Sequence, residues 1–229
     1  LADLTPAEWM AIWLSLKVAI VATVASLPFG IFTAYALARW RFPGKILLNG
    51  AVHLPLVLPP VITGFALLLL FGRKGTFGPF LDRLGLVFAF RWTGAALASA
   101  IMGFPLMVRA MQLSFESIDR RLEQAAATLG ANPVWTFFAV SLPLALPGIL
   151  SGTILAFTKA LGEFGATITF VSNIPGETQT IALAIYAYTQ TPSGDAYALR
   201  LTAISAALSF AALIASEILQ RRARKQLAG

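Results

Sequence analysis

The sequence predicts an all-α, polytopic integral membrane protein with five transmembrane helices and a short cytoplasmic helix between the third and the fourth. Three observations carry that prediction. Hydrophobic residues make up 58% of the 229 and charged residues 12%, where a soluble domain has about 45–50% and about 25%. Five mostly apolar runs approach or exceed the ~20 residues that a bilayer crossing takes. One polar interruption carries the caps and spacing of an amphipathic helix. The composition excludes a soluble globular domain, a disordered chain and a disulfide-rich secreted module.

The first run, Val18–Ala38, is uncharged and ends at Arg39-Trp40-Arg41. The second, Ile46–Gly72, has one ionisable group, His53. The third, Trp92–Val108, continues in helical pattern to Phe115. The fourth, Pro143–Val171, is apolar apart from Lys159 and Glu163, and the fifth, Leu201–Ser216, runs into Glu217 and a basic tail. Ile181–Tyr188 is too short to cross and reads as a short extracytoplasmic helix or re-entrant piece. No low-complexity segment, linker or internal repeat appears, so residues 1–229 form a single domain. No charged segment precedes the first apolar run, so no cleavable signal peptide is expected.

The formal net charge is +7. A nucleic-acid-binding chain would gather its cations on one face, whereas here they sit in short runs between apolar segments. That pattern orients a membrane protein, because Lys and Arg stay in the cytoplasm. With the C-terminus inside, ten cations fall on the inner side: Arg39, Arg41, Lys45, Arg109, Arg120, Arg121, Arg221, Arg222, Arg224 and Lys225. Five fall outside: Arg73, Lys74, Arg83, Arg91 and Arg200. The expected topology is N-terminus out, C-terminus in, with the tail anchoring the last helix or touching anionic lipid. The chain has no cysteine, which removes disulfides, Fe–S clusters and thiolate chemistry.

Proline and glycine interrupt the runs. Pro55, Pro59 and Pro60 make a regular helix unfavourable in the second one. Gly148, Gly152 and Ala156 form one small-residue stripe, and Ala203, Ala207, Ala211 and Ala215 another. Such stripes let membrane helices approach closely, and packing within one subunit is favoured over a dimer contact.

The polar interruption runs from Asp119 to Pro133. Asp119 caps a helix N-terminus. Leu122, Ala125, Ala126 and Leu129 fall at i, i+3, i+4 and i+7 and make one apolar face. Gly130 suits the left-handed residue that ends the helix, and Asn132 then caps a second helix with Pro133 in its first turn. A lipid-surface helix would use bulkier residues and a cationic polar face. A shallow face of two alanines and two leucines favours a protein groove, with a plain loop packed on its own subunit as the other reading.

Gln124-Ala125-Ala126, three residues, Gly130, nine residues and Val140-Ser141-Leu142-Pro143 resemble the Glu-Ala-Ala loop of ABC importer permeases. The motif's Glu position holds Gln124, with Glu123 just before it, so either side chain is a candidate for the usual acidic contact. Four further segments resemble the molybdate permeases: Ala38–Lys45, His53–Pro60, Gly162–Thr167 and Ser172–Thr178. Sulfate permeases are close relatives. The resemblance covers nearly the whole chain.

It implies the type I ABC importer permease fold in a bacterial inner membrane. It also implies the pore subunit of an ATP-driven importer of a tetrahedral oxyanion, most readily molybdate, with tungstate and sulfate as alternatives. The implied partners are a second permease copy, a cytoplasmic ATPase dimer and an extracytoplasmic oxyanion-binding protein, besides the lipid bilayer. Residues 119–142 would be the ATPase-coupling segment, with Glu123, Gln124, Ala125, Ala126, Leu129, Gly130 and Pro133 its contact and shaping residues. No cofactor is expected on this chain. ATP and Mg would belong to the ATPase, since the phosphate loop G-x-x-x-x-G-K-[ST] is absent from the sequence. The chain is therefore expected not to be an enzyme.

Intramembrane ionisable groups are candidate functional residues. Lys159 and Glu163 are four apart and can pair on one helix face. A self-neutralising structural pair is favoured over a carboxylate beside the path, where it would repel an oxyanion. Translocation-path or gate candidates are Met102, Phe104, Met107, Glu163, Thr167 and Thr169. His53 is the sole histidine and reads as structural rather than as a metal ligand. Ion-coupled transport is disfavoured by the missing repeats. An embedded enzyme is disfavoured by the lack of a catalytic constellation.

Overall fold

The computed structural model describes residues 4–228, with side chains through Arg222. The tail cations Arg224 and Lys225 lie outside the described side chains. Among the described residues all regular structure is helical. In order the elements are α1 (Pro6–Arg39), α2 (Lys45–Val57), α3 (Pro60–Phe71), α4 (Gly78–Arg83), α5 (Trp92–Ser117) and α6 (Arg120–Thr128). Next come α7 (Pro133–Thr136), a π-helical turn (Phe137–Ser141), α8 (Leu142–Leu144) and α9 (Leu146–Leu161). The chain ends with α10 (Gly165–Val171), α11 (Ile181–Thr189) and α12 (Asp195–Ala228).

Three helices are long and apolar enough to cross a membrane: α1, α5 and α12. Two bent pairs bring the number to five if each is one crossing. The second apolar run is one of these pairs, with α2 and α3 meeting at 113°. Pro59 and Pro60 explain the break. The residue before a proline is pushed out of the α region, and Leu58 (ψ 140°) and Pro59 (ψ 133°) are both extended.

The fourth run differs most from expectation. Pro143–Val171 is not one helix: it bends by 70° ahead of α9 and stops at Leu161 before α10 begins. Pro143 and Pro147 each remove a backbone donor, and the wide turn at Phe137–Ser141 accommodates the disturbed ladder. The short piece expected at Ile181–Tyr188 is α11.

The central helix α5 packs against α1 on one side and α9 on the other. Met107, Val108, Met111 and Phe115 of α5 are fully buried with Leu37 of α1 and Ile149 of α9. A second cluster gathers Val18, Met102, Phe170 and Val171 where α10 joins α1, α3 and α5. The Gly148–Gly152–Ala156 stripe lies in the α5–α9 contact. A side chain at Gly152 would meet the Met107 carbonyl at 2.7 Å, and one at Gly148 the Ala110 carbonyl at 3.1 Å. That stripe packs within the subunit, as expected. The alanine stripe does not: Ala203, Ala207, Ala211 and Ala215 are all exposed on α12.

The first and last helices are stapled at their N-termini. Thr5 and Glu8 form a capping box that starts α1. The Glu8 carboxylate is 0% exposed and takes two bonds from Arg200 of α12, at 2.9 and 3.1 Å. Without the carboxylate, the Thr5 N–H and hydroxyl and the Arg200 guanidinium all lose an acceptor. Glu8→Ala is therefore expected to destabilise the bundle by about 2 kcal/mol, read as a lower unfolding temperature in detergent.

Candidate functional site

The most built feature at the end of the bundle where α1 and α5 finish is the α6 unit. The Asp119 carboxylate accepts from the Arg121 N–H at 2.9 Å, capping α6. At the other end Gly130 adopts φ +87°. Its N–H donates to the Ala127 carbonyl at 3.0 Å, and the Ala131 N–H donates to the Ala126 carbonyl at 3.1 Å. This pair of bonds is the Schellman arrangement, and a residue with a Cβ would strain it. Asn132 then caps α7 by accepting from the Trp135 N–H at 2.8 Å, with Pro133 in the first turn. The order of caps is the one the sequence predicts.

Apart from Ala126, the apolar face of α6 is left uncovered by the described residues. Leu129 is 89% exposed and Leu122 48%, while Ala126 is buried at 9%. Leu122, Ala125, Ala126, Leu129, Trp135 and Val140 line a shallow groove of about 590 Å³. A large apolar side chain almost wholly in water, on a helix fixed at both ends, is what a docking surface presents.

The two acidic-contact candidates part company. Gln124 is exposed. Glu123 turns back into the bundle, where its Oε1 lies 3.2 Å from Arg39 Nε at the end of α1 and accepts from Ser141 Oγ at 2.7 Å. Arg39 also donates from Nη2 to the Ile118 carbonyl just past α5, at 3.0 Å.

Lys159 and Glu163 pair at 2.6 Å. Glu163 does more than neutralise Lys159: its Oε1 accepts from the Ala166 N–H at 3.0 Å, satisfying a free donor at the start of α10. A broken helix inside a membrane must find such partners. The Thr167 and Thr169 hydroxyls donate back to the carbonyls of Phe164 and Gly165, at 2.8 and 2.9 Å. Met102 and Met107 are buried within the chain's own core. Phe104 is partly exposed and, with Phe29, Pro55 and Ile101, lines an apolar cavity of about 550 Å³ between α1, α2 and α5. These candidates do not form one cluster with the α6 unit. His53 donates from Nδ1 to the Asn49 carbonyl one turn back, at 2.9 Å.

Two features escape a reading of the sequence. Lys17 places its ammonium 3.6 Å from the centre of the Trp92 ring, a cation–π contact that joins α1 to the start of α5. In the Ser172–Thr178 segment, the buried Thr178 hydroxyl accepts from the Ile174 N–H and donates to the Ser172 carbonyl, at 2.9 and 3.0 Å. Ser172 sits at φ +63°, held by that hydroxyl, so the segment is a locked loop.

Bent apolar helices thus surround a packed central helix, α5, and a capped amphipathic helix, α6, stands at one end of the bundle. The chain belongs to the binding-protein-dependent transport system inner membrane component family, whose pattern matches residues 26–225. It is thus a multi-pass inner-membrane transport protein. It is 57% identical over 224 residues to the molybdenum transport system permease protein ModB of Escherichia coli K12, covering 97% of this chain and 98% of that one. It is 36% identical over 217 residues to the sulfate transport system permease protein CysW of Synechococcus elongatus, covering 94% and 75%. Its fold matches a chain of a bacterial alginate ABC transporter solved with an alginate pentasaccharide-bound periplasmic protein. The TM-score is 0.75 and the identity 17%, over 95% of this chain and 80% of that one.

Proposed function

We propose that this chain is the membrane-spanning pore subunit of an ATP-driven molybdate importer. The observation that carries the reading is the near-full-length identity to a molybdenum permease, well above that to a sulfate permease. Sulfate is accordingly the weaker alternative. The chain crosses the membrane five times, the two bent pairs each counting once, with its N-terminus outside and its C-terminus inside. The α6 unit faces the cytoplasm and docks in a groove of an ATPase subunit, with Leu122, Ala125, Ala126 and Leu129 as its contact face. Gln124 stands at the rim of that contact. Two copies of the chain form the pore, and a periplasmic binding protein delivers the oxyanion. ATP and Mg stay on the ATPase.

Phe104, on the open apolar cavity, is the gate candidate the geometry favours. Glu163 holds the break between α9 and α10 in shape, with Lys159 compensating its charge. The pore needs no tight anion site, because conduction asks for weak sites that release.

Reconstitution tests the reading. The chain, assembled with an ATPase and a binding protein in vesicles, should take up molybdate only with ATP. Unlabelled molybdate should compete more strongly than sulfate. Uptake driven by an ion gradient without ATP overturns the proposal, and preferential sulfate competition corrects the substrate.

A further inference from the structure

Glu123 and Arg39 form the one ion pair in which α6 reaches another helix of the chain among the described residues. Around it four pieces of backbone meet. Arg39 is the last residue of α1. Its guanidinium also holds the Ile118 carbonyl, which closes the C-terminus of α5, where the macrodipole favours a cation. Glu123 stands in the first turn of α6, where the macrodipole favours an anion. Ser141, which donates to the same carboxylate oxygen, ends the π-helical turn that leads into α8 and α9. The Arg39 side chain is 7% exposed and that of Glu123 19%, so solvent screens the pair little. The exposed face of α6 carries none of these groups. One side of this two-turn helix is offered outward, and the other is tied to the ends of α1 and α5 and to the segment entering α9.

We propose that Arg39 and Glu123 are positioning residues that make α6 and the cytoplasmic ends of α1 and α5 move as one body, so that a pull on α6 reaches the bundle. This rests on α6 being the ATPase-facing helix. Without the ion pair, α6 is held by its short flanking segments and the Ser141 hydrogen bond, and nothing polar among the described residues ties it to the ends of α1 and α5. The ATPase would then still bind it, and hydrolysis would continue, while the pull would be lost as slack. The mark of the clamp is thus a ratio, oxyanion taken up per ATP hydrolysed, and not either rate alone.

Glu123→Gln keeps an amide oxygen for Ser141 and removes the charge. Arg39→Gln removes the other partner. Each single variant should lower uptake per ATP roughly tenfold, within the usual range of coupling between two sites. The double variant should fall no further than the worse single, because both remove the same contact. Arg41→Gln, an exposed neighbouring cation, should leave the ratio alone. Singles that keep the wild-type ratio, or singles whose losses add in the double, overturn the clamp while leaving the importer reading intact. A wild-type assembly that transports nothing overturns both.

A second measurement leaves Arg39 and Glu123 in place and changes only exposed residues. The chain has no cysteine, so Arg41→Cys and Arg120→Cys place two spin labels on exposed sites beside α1 and on α6. Their separation should stay constant in the otherwise wild-type complex when ATP binds. A separation that changes with nucleotide shows α6 sliding against α1, and the clamp is then wrong.

Discussion

Gly148→Leu is expected to leave no folded protein in the membrane fraction. The first atom of any side chain at Gly148 would overlap Ser114 Cβ and lie 2.6 Å from Ser114 Oγ and 3.1 Å from the Ala110 carbonyl. Ser114 could rotate its hydroxyl, but its Cβ and the Ala110 backbone cannot move without separating α5 from α9. Overpacking a tight core site typically costs 1–3 kcal/mol even for small additions. Gly148→Ala is expected at about 3 kcal/mol, the upper end of that range. Leucine adds three further carbons in a direction already closed. Gly152→Ala, 2.7 Å from the Met107 carbonyl, should be comparable to Gly148→Ala. Ala207→Leu on the exposed stripe of α12 should shift stability of the isolated chain by no more than about 0.5 kcal/mol. The amount of protein in the membrane fraction reads Gly148→Leu, and thermal unfolding in detergent reads the other three. An unchanged melting temperature for Gly148→Ala would mean that α5 and α9 do not meet as described.

The two small-residue stripes show what a sequence discloses and what it withholds. Spacing four places small residues on one helix face in both. It does not say what lies opposite. Gly148 and Gly152 face α5, on a helix that follows a 70° bend. The alanines of α12 face away from the described bundle. Breaks were legible where proline makes them, as at Pro59-Pro60, since the restriction on the preceding residue is local. The break after Leu161 was not. Nothing there but Gly162 signals a stop, and the group that starts α10 is the carboxylate of Glu163, which the sequence offered as half of a pair or a path candidate and not as the cap of a helix.

The α6 unit was legible almost residue by residue, because its caps depend on neighbours two to five positions away. The different placements of Glu123 and Gln124 were not legible, because the partner that draws Glu123 inward is Arg39, far away in the chain. Likewise Lys17 finds its partner in Trp92, at the start of a different helix. Local rules were readable, and contacts between distant segments needed the fold.

Leu129→Gln is expected to weaken ATPase binding about thirtyfold, which corresponds to about 2 kcal/mol. Leu129 follows the last turn of α6 and is 89% exposed, so none of the described residues shields it from water. Covering a leucine in an apolar groove is worth roughly 1.5–3 kcal/mol. Glutamine has nearly the same length and no charge, so neither reach nor the helix macrodipole changes. What changes is that an amide must enter the partner's groove and lose its water there. The caps are untouched: Asp119, Gly130 and Asn132 keep their bonds, and the chain's own melting temperature should not move. This separates Leu129 from Gly130, where a bulky substitution would damage the cap and the docking together. Affinity is read by titrating the purified ATPase against the chain in nanodiscs. A thirtyfold loss at constant stability places the apolar face of α6 in the contact. An unchanged affinity would mean that the ATPase grips another surface and that Leu129 stays in water in the assembled complex.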